Sequence, residues 1–284
     1  MNWLDEGALY SSIGLFVRED LGRGDITTQA TIMRNARARG RFVAGEKIVV
    51  AGLEAVEEVF GTLDPQQQLE AFSSDGEEVE AGKVIARTSG FADVLLAGER
   101  VALNLLQHLS GIATVTREFV RAVEHTKAKI ADTRKMTPGL RMLEKYAVLL
   151  GGGRNHRYGL DDGVFIKTNH AAIAGSVGAA VESARERVGH LHRIGAEVSN
   201  ERDLQEAIKH GAEILAINGL PPAETASLVK QARGLSQHLS VEVSGPITLE
   251  NVREYADTGA DLIRVKGLTQ SVRSVDISFQ IQPG

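Results

Sequence analysis

The stretch LHRIGAEVSNERDLQEAIKHGAEILAINGLPPAETASLVKQARGLSQHLSVEV, residues 191–243, decides the fold prediction. It contains three short apolar runs, Leu191–Val198, Glu213–Asn218 and Leu239–Val243. Between them lie amphipathic segments of the length that one crossover helix needs. Strands that alternate with helices favour a parallel sheet with right-handed connections.

The same alternation extends to both sides of this stretch. Further strand-like runs are Ala128–Asp132, Gly163–Lys167 and Asp261–Val265. The pattern predicts helices within Gly139–Leu150, Ala171–Val188, Glu201–His210, Pro222–Leu235 and Leu249–Thr258. About six such units, without a dinucleotide-binding glycine fingerprint, favour an α/β barrel over an open sheet.

The first part of the chain is less regular and is predicted to form a separate domain. We expect a charged loop at Val17–Thr28, strands within Arg37–Val50, a strand–turn–strand hairpin at Gly76–Ile85 and one or two long helices over Leu95–Glu124. The change in pattern near residue 110 predicts an N-terminal domain over 1–110 and a barrel domain over 111–271 that carries the active site.

Composition excludes several classes of function. The net charge of −5 and an aromatic content of 5% argue against a nucleic-acid partner. The chain has no cysteine, so disulfides and thiolate chemistry are excluded, and its histidines lack the spacing of a zinc site. It shows neither a signal-peptide pattern at the N-terminus nor an apolar run long enough for a membrane helix. We therefore expect a cytoplasmic enzyme without a membrane partner.

Candidate functional residues follow from the predicted barrel, because such folds carry their active sites at the carboxyl ends of the strands. The residues at those ends are Arg134, Lys135, Lys167, Glu197, Asn218, Ser244, Gly245 and Lys266.

Cations are dense in one short part of this acidic chain. They are Arg134, Lys135, His156, Arg157, Lys167 and His170. Converging cations of this kind suit a small, multiply negative ligand. Surface salt bridges with Asp132, Asp161 and Asp162 are the open alternative. Likewise, the Gly151–Gly153 run permits close approach of a ligand or of a neighbouring chain, and the turns at Ser244 and Lys266 suit either phosphate or plain connections.

Four motifs carry a resemblance to a known family. They are EDLGRGDIT at 19–27, GERVALNLLQHLSGIAT at 98–114, DTRKMTPGLR at 132–141 and GGGRNHRYGL at 151–160. In this order they resemble the quinolinate phosphoribosyltransferases, which are carboxylating nicotinate-nucleotide pyrophosphorylases. The similarity extends over essentially the whole chain.

The resemblance implies an N-terminal α/β sandwich domain followed by an incomplete α/β barrel, with the tail 272–284 returning to the first domain. It implies transfer from phosphoribosyl pyrophosphate to quinolinate with decarboxylation, in NAD biosynthesis. It also implies Mg²⁺ as cofactor and a homodimer or dimer-based oligomer, in which Arg100 enters the neighbouring subunit's site.

The resemblance also implies roles for individual residues in catalysis, in metal binding and in substrate binding. Lys135, Lys167 and Glu197 are expected to be catalytic, and Glu197 and Asn218 are expected to lie near Mg²⁺ and ribose. The predicted substrate-binding residues are Arg100, Thr133, Arg134, His156, Arg157, Asn218, Ser244, Gly245, Lys266 and Gly267.

The chain departs from the family pattern on the ribose-phosphate side. Asn218 replaces an aspartate, Pro246 replaces a glycine in a Ser-Gly-Gly turn, and Lys266 replaces a glycine. Asn218 removes a charge that would help to hold a metal ion, and Pro246 removes a backbone donor. The alternative function is therefore a weak or inactive homologue that binds an aromatic acid as a sensor or partner subunit.

Overall fold

The computed structural model describes residues 6–284, which divide into two compact units. The first consists of residues 6–117, 136–152 and 271–284, and the second of 118–135 and 153–270. The helices are α1 (Glu6–Leu21), α2 (Ile26–Thr31), α3 (Leu53–Leu63), α4 (Ala92–Ala122), α5 (Arg141–Leu150), α6 (Thr168–Ala174), α7 (Val177–Arg187), α8 (Glu201–Lys209), α9 (Pro222–Leu235), α10 (Val252–Ala256) and α11 (Gly267–Gln270).

Twelve strands are found in the described residues. They are β1 (Arg37–Ala44), β2 (Ile48–Val49), β3 (Leu69–Ala71), β4 (Glu78–Val79), β5 (Val84–Phe91), β6 (Lys129–Ala131), β7 (Val164–Ile166), β8 (Ile194–Val198), β9 (Ile214–Asn218), β10 (Ser240–Ser244), β11 (Leu262–Arg264) and β12 (Ile277–Pro283). No helix among residues 6–284 has the length and apolar character needed to cross a membrane.

The second unit contains the parallel sheet that the alternating sequence predicts. Its six strands lie in the order β6-β11-β10-β9-β8-β7, and every neighbouring pair is parallel. Most residues of these strands are apolar and buried, because helices and the sheet interior cover both of their faces. With β6 and β7 at its two ends, this sheet is the incomplete α/β barrel that was predicted, and the fold class is confirmed.

The first unit contains an antiparallel sheet in the order β12-β1-β5-β3. In β1, alternate residues are buried, as expected when only one sheet face is covered. Phe42 on that face packs 4.5 Å from the ring of Phe279 on β12 and 6.3 Å from Phe60 on α3. This aromatic cluster joins helix and sheet into the predicted N-terminal α/β layer structure, together with residues from the C-terminal part of the chain.

Residues 136–152 also belong to the first unit. Arg117 on α4 donates hydrogen bonds to the carbonyls of Leu150 and Gly151 at 2.9 Å, which satisfies two acceptors at the end of α5. Tyr146 on α5 donates to Asp75 at 3.0 Å. The domain boundary predicted near residue 110 stays a prediction.

Two local predictions in the first unit are wrong. The loop predicted at Val17–Thr28 is mostly helical, because Gly22 and Gly24 adopt positive φ and confine the break to a few residues. Asp25 then caps α2 by accepting from the Thr28 N–H at 3.0 Å.

The strand–turn–strand unit at Gly76–Ile85 is not a hairpin. Its two strands pair elsewhere, β4 with β2 and β5 with β1 and β3. In the second unit, the helix expected over Ala171–Val188 is divided into α6 and α7. Gly175 at φ 99° interrupts it, and the Ser176 side chain caps the second part. Over Leu95–Glu124, in contrast, the single helix α4 is found.

Candidate active site

A cavity of about 710 Å³ opens at the carboxyl ends of the barrel strands in the second unit. The described residues that line it are Thr133, Arg134, Lys135, His156, Arg157, Phe165, Lys167, Thr168, Asn169, Glu197, Asn218, Ser244, Gly245, Pro246, Arg264 and Lys266. Six of them are lysines or arginines, and Glu197 is the only acidic residue in this set. The excess of positive charge favours an anionic ligand.

His156 is held in place from several sides. Its backbone N–H donates to the fully buried carboxylate of Asp132 at 2.8 Å. Its ring meets Phe165 edge-on at 5.1 Å, and its Nε2 lies 3.3 Å from Oε2 of Glu242. Such support fixes the imidazole before any ligand arrives, which lowers the entropy cost of binding.

Arg134 and Arg157 form the most strongly anion-seeking part of the cavity. Burial lowers the pKa of Arg157, and the positive charge of Arg134 lowers it further. Arg157 donates to the Gly163 carbonyl at 2.6 Å, whereas Nε of Arg134 is buried and has no hydrogen-bond partner among residues 6–284. The two guanidinium groups repel each other, and Arg134 has a buried donor without a partner. A carboxylate or phosphate that binds to both groups would offset this repulsion.

Glu197, near the end of β8, also lines the cavity. Its Oε2 accepts from the backbone N–H of Thr168 at 3.3 Å. Lys167 directly precedes α6, and its backbone N–H donates to Nδ1 of His170 at 2.9 Å. His170 therefore caps a helix and does not line the cavity, although its position in the sequence suggested a place in the cation cluster.

A chain of hydrogen bonds runs from the buried Arg264 to the exposed Asn218, and both residues line the cavity. Nη2 of Arg264, on β11, donates to Oγ of Ser244 at 2.9 Å. Ser244 in turn donates to Oδ1 of Asn218 at 2.9 Å. Nε of Arg264 lies 3.3 Å from Oε2 of Glu242, so the guanidinium is paired on its inner side.

The structure brings most of the predicted site residues together around this cavity. They are Thr133, Arg134, Lys135, His156, Arg157, Lys167, Glu197, Asn218, Ser244, Gly245 and Lys266. Gly267 begins α11 and is not among the lining residues, and Arg100 is exposed on α4 in the first unit. The individual roles assigned to these residues stay predictions.

Sequence reasoning missed Arg264 and Phe165. Both lie inside strand runs that were interpreted as apolar. An arginine within the apolar run Asp261–Val265 was the available signal, since charged residues are almost never buried without a partner.

The Gly151–Gly153 run has a packing explanation. A Cβ on Gly151 would lie 2.5 Å from Cβ of Thr116 and 2.6 Å from the Ala113 carbonyl oxygen. Gly151 therefore allows close packing against a neighbouring part of the chain rather than approach of a ligand. None of the three glycines lines the cavity. His108, on α4, pairs with the buried Glu144 at 2.9 Å.

A parallel α/β barrel with a cationic cavity at the carboxyl ends of its strands defines an enzyme that binds small anionic substrates. Residues 25–110 match the family model for the N-terminal domain of quinolinate phosphoribosyl transferase, and residues 112–280 match the model for its C-terminal domain. The chain belongs to the quinolinate phosphoribosyltransferase family.

Individual relatives agree over nearly the full length. The chain is 44% identical over 266 residues to a probable nicotinate-nucleotide pyrophosphorylase (carboxylating) of Bacillus subtilis, covering 94% of this chain and 91% of that protein. It is 40% identical to a nicotinate-nucleotide pyrophosphorylase (carboxylating) of Mycobacterium leprae, with 93% and 94% covered. The solved nicotinate-nucleotide pyrophosphorylase from Francisella tularensis superposes with a TM-score of 0.92 at 33% identity, with 98% of each chain covered.

Proposed function

We propose that this protein transfers the phosphoribosyl group of phosphoribosyl pyrophosphate to quinolinate, with loss of CO₂, to give nicotinate mononucleotide and pyrophosphate. The observation that carries the proposal is the cavity at the barrel mouth, which is lined by six lysine and arginine side chains and one acidic side chain. Both substrates are small polyanions, and the named relatives catalyse this class of reaction.

The acid subsite consists of Arg134, His156, Arg157 and Lys167. Quinolinate carries two adjacent carboxylates, and two guanidinium groups with a neighbouring ammonium can bind both of them. Nε of Arg134 has no hydrogen-bond partner in the described chain. One carboxylate of quinolinate can accept from this donor. This clamp orients the ring nitrogen toward the ribose carbon that it attacks.

The transfer step breaks the bond between ribose C1 and pyrophosphate while the ring nitrogen bonds to C1. Positive charge develops on the sugar, and Glu197 supplies the negative charge that stabilises it. The departing pyrophosphate takes the bond's electron pair, and the cations of the cavity offset its growing charge.

Decarboxylation follows from the same arrangement. The alkylated ring nitrogen is cationic, so the electron pair left at the adjacent carbon is stabilised when the carboxylate departs as CO₂. That carbon then takes up a proton, for which the ammonium groups of Lys135 and Lys167, both lining the cavity, are suitable donors.

Mg²⁺ fits this site as an ion shared with the substrate. Residues 6–284 contain no cluster of three or more His, Cys, Asp or Glu side chains that could hold a metal ion by themselves. Glu197 provides one carboxylate at the cavity, and Mg²⁺ is commonly held by one or two carboxylates together with substrate phosphates. When bound, the ion neutralises charge on the phosphate oxygens.

The proposed assembly is a homodimer or dimer-based oligomer in which Arg100 completes the neighbouring site. The support is that Arg100 is exposed on α4 and carries a charge that suits a carboxylate. The cytoplasmic location stays a prediction of the sequence.

Turnover tests the proposal directly. Purified protein is mixed with quinolinate, phosphoribosyl pyrophosphate and Mg²⁺, and nicotinate mononucleotide is followed by chromatography, with nicotinate in place of quinolinate as the control. We expect product only from quinolinate, because the clamp is matched to two carboxylates. Tight quinolinate binding without product would refute the catalytic proposal and support a binding role.

A further inference from the structure

Phe165, on β7, lies in the wall of the active-site cavity among basic side chains, and only 7% of its surface is exposed. The centre of its ring lies 4.8 Å from the guanidinium carbon of Arg264 and 5.7 Å from that of Arg157. The ring of His156 stands at 89° to it, with the two ring centres 5.1 Å apart. All three groups line the cavity, so one neutral ring contacts three of its basic side chains.

An aromatic ring can hold cations without cancelling their charge. The face of the ring has a negative electrostatic potential, and a guanidinium within about 6 Å of the ring centre is attracted to it. Both guanidinium groups at Phe165 lie inside that range. A carboxylate in the same position would also attract them, but it would neutralise positive charge that an anionic ligand needs. The ring therefore leaves the charge of both arginines available to a ligand.

The buried carboxylate of Glu242 supports two of the three basic groups. Its Oε2 lies 3.3 Å from Nε of Arg264 and 3.3 Å from Nε2 of His156. These two groups are therefore held by an acidic side chain as well as by the ring of Phe165.

Arg157 is held by neutral groups. It donates to the carbonyl of Gly163 at 2.6 Å, and its guanidinium lies near the ring of Phe165. Burial lowers its pKa and the positive charge of Arg134 lowers it further, while the carboxylate of Asp162 acts in the opposite direction. Because Arg134 repels it, Arg157 would turn toward solvent more readily without the attraction of the ring. A ligand would then have to draw it back, which costs affinity.

The position of the Phe165 ring is fixed by the neighbouring strand. Phe165 is paired in register with Gly195 on β8. A Cβ on Gly195 would lie 3.0 Å from Cδ2 of Phe165 and 3.4 Å from Cβ of Ile214, so glycine at this position gives the ring its space. The ring is thus packed against the sheet on one side and contacts the basic groups of the cavity.

We infer that Phe165 is a positioning residue of the acid subsite, whose ring holds Arg157 and His156, together with Arg264, in place for the carboxylates of an aromatic diacid. The inference rests on the proposed function and deepens it. Its consequence is that affinity for the acid depends on the electron density of the ring, and not only on the volume that the ring fills. A side chain that merely packs the wall of the cavity would show the second dependence alone.

Fluorinated phenylalanines at position 165 test the inference. One, two or three fluorine atoms withdraw electron density from the ring face in steps and change its shape little. In calorimetric titration with quinolinate, we expect the dissociation constant to rise with each fluorine, by about threefold or more for the trifluorinated ring. Phe165→Leu keeps an apolar side chain but removes the ring, and it should weaken binding by about 3- to 30-fold.

A control position and a folding measurement keep the test decisive. Phe42 packs against the rings of Phe60 and Phe279 in the first unit, and the trifluorinated residue at position 42 should leave quinolinate affinity unchanged. Thermal unfolding of every variant shows whether it is folded. If Phe165→Leu does not fold, the fluorinated series decides the question by itself.

The outcomes separate this inference from the proposed function. Quinolinate affinity that is the same for all rings at position 165 would overturn the positioning role and leave packing as the role of Phe165. Turnover of quinolinate by the unmodified protein, together with that result, would leave the proposed function standing. An unmodified protein that does not bind quinolinate would refute both.

Discussion

Replacement of Arg134 by alanine should separate ligand binding from fold stability. Arg134 lines the acid subsite, and its buried Nε has no partner within the described chain. Its charge also lowers the pKa of Arg157, which means that the two guanidinium groups repel each other when the cavity is empty. The side chain therefore costs stability without ligand and contributes affinity with it.

The size of the effect follows from the interactions lost. A hydrogen bond to a charged group contributes about 1.5–3 kcal/mol, and about 1.4 kcal/mol corresponds to a tenfold change in dissociation constant. Arg134→Ala should therefore weaken quinolinate binding by roughly 10- to 150-fold. The melting temperature of the ligand-free protein should stay the same or rise, because the repulsion on Arg157 is removed.

Calorimetric titration with quinolinate and thermal unfolding without ligand measure the two effects. Arg154→Ala is the matched control, since Arg154 is an exposed arginine of the same barrel that does not line the cavity. Unchanged quinolinate affinity in Arg134→Ala would refute the acid subsite. A marked fall in the ligand-free melting temperature would refute the like-charge repulsion.

Three other changes test separate parts of the molecule. Burial raises the pKa of Asp75 above its ordinary value of 3.8, so the folded state binds this proton more tightly and the carboxyl costs stability as the pH rises above that value. Asp75→Asn should remove this loss and flatten the fall of the urea midpoint on the alkaline side of that value. Gly151→Ala places Cβ 2.5 Å from Cβ of Thr116 and should cost about 1–3 kcal/mol in the urea-derived free energy of unfolding. Glu197→Gln removes the charge that stabilises the sugar cation and should lower kcat by about 100-fold or more, with quinolinate affinity by calorimetry unchanged.

Each of these expectations has a result that would contradict it. An unaltered pH profile for Asp75→Asn would mean that this carboxyl does not titrate differently in the folded chain. Gly234→Ala, where a Cβ meets nothing within 4 Å, is the control for Gly151→Ala, and equal stability of the two variants would exclude close packing as the cause. A Glu197→Gln variant with full kcat would remove Glu197 from the chemistry.

The sequence predicted the barrel well because its signals are local. Each strand of the second unit is a short apolar run beside an amphipathic segment, so periodicity alone identifies it. The hairpin expected at Gly76–Ile85 failed because the partners of β4 and β5 lie in other parts of the chain. Pairing of distant strands depends on tertiary contacts, which a local pattern does not contain.

Some residues of the candidate site could also be predicted from the sequence, and others could not. Positions at strand ends, such as Lys167 and Glu197, follow from the fold once the strands are identified. The role of Arg264 could not be predicted, since it depends on three-dimensional neighbours, namely Glu242, Ser244 and Phe165. The hydrogen bond from Ser244 to Asn218 is likewise a property of three-dimensional neighbours, and the sequence alone did not predict it.

The pairing of β1 with β12 has a consequence for synthesis of the chain. All residues of the second unit have been made once residue 270 is added, whereas one edge of β1 stays unpaired until residues 277–283 follow. Until then an eight-residue strand has unpaired backbone groups along that edge, which is a template for association with other chains. The first strand of the described chain therefore keeps one open edge until its last strand has been made.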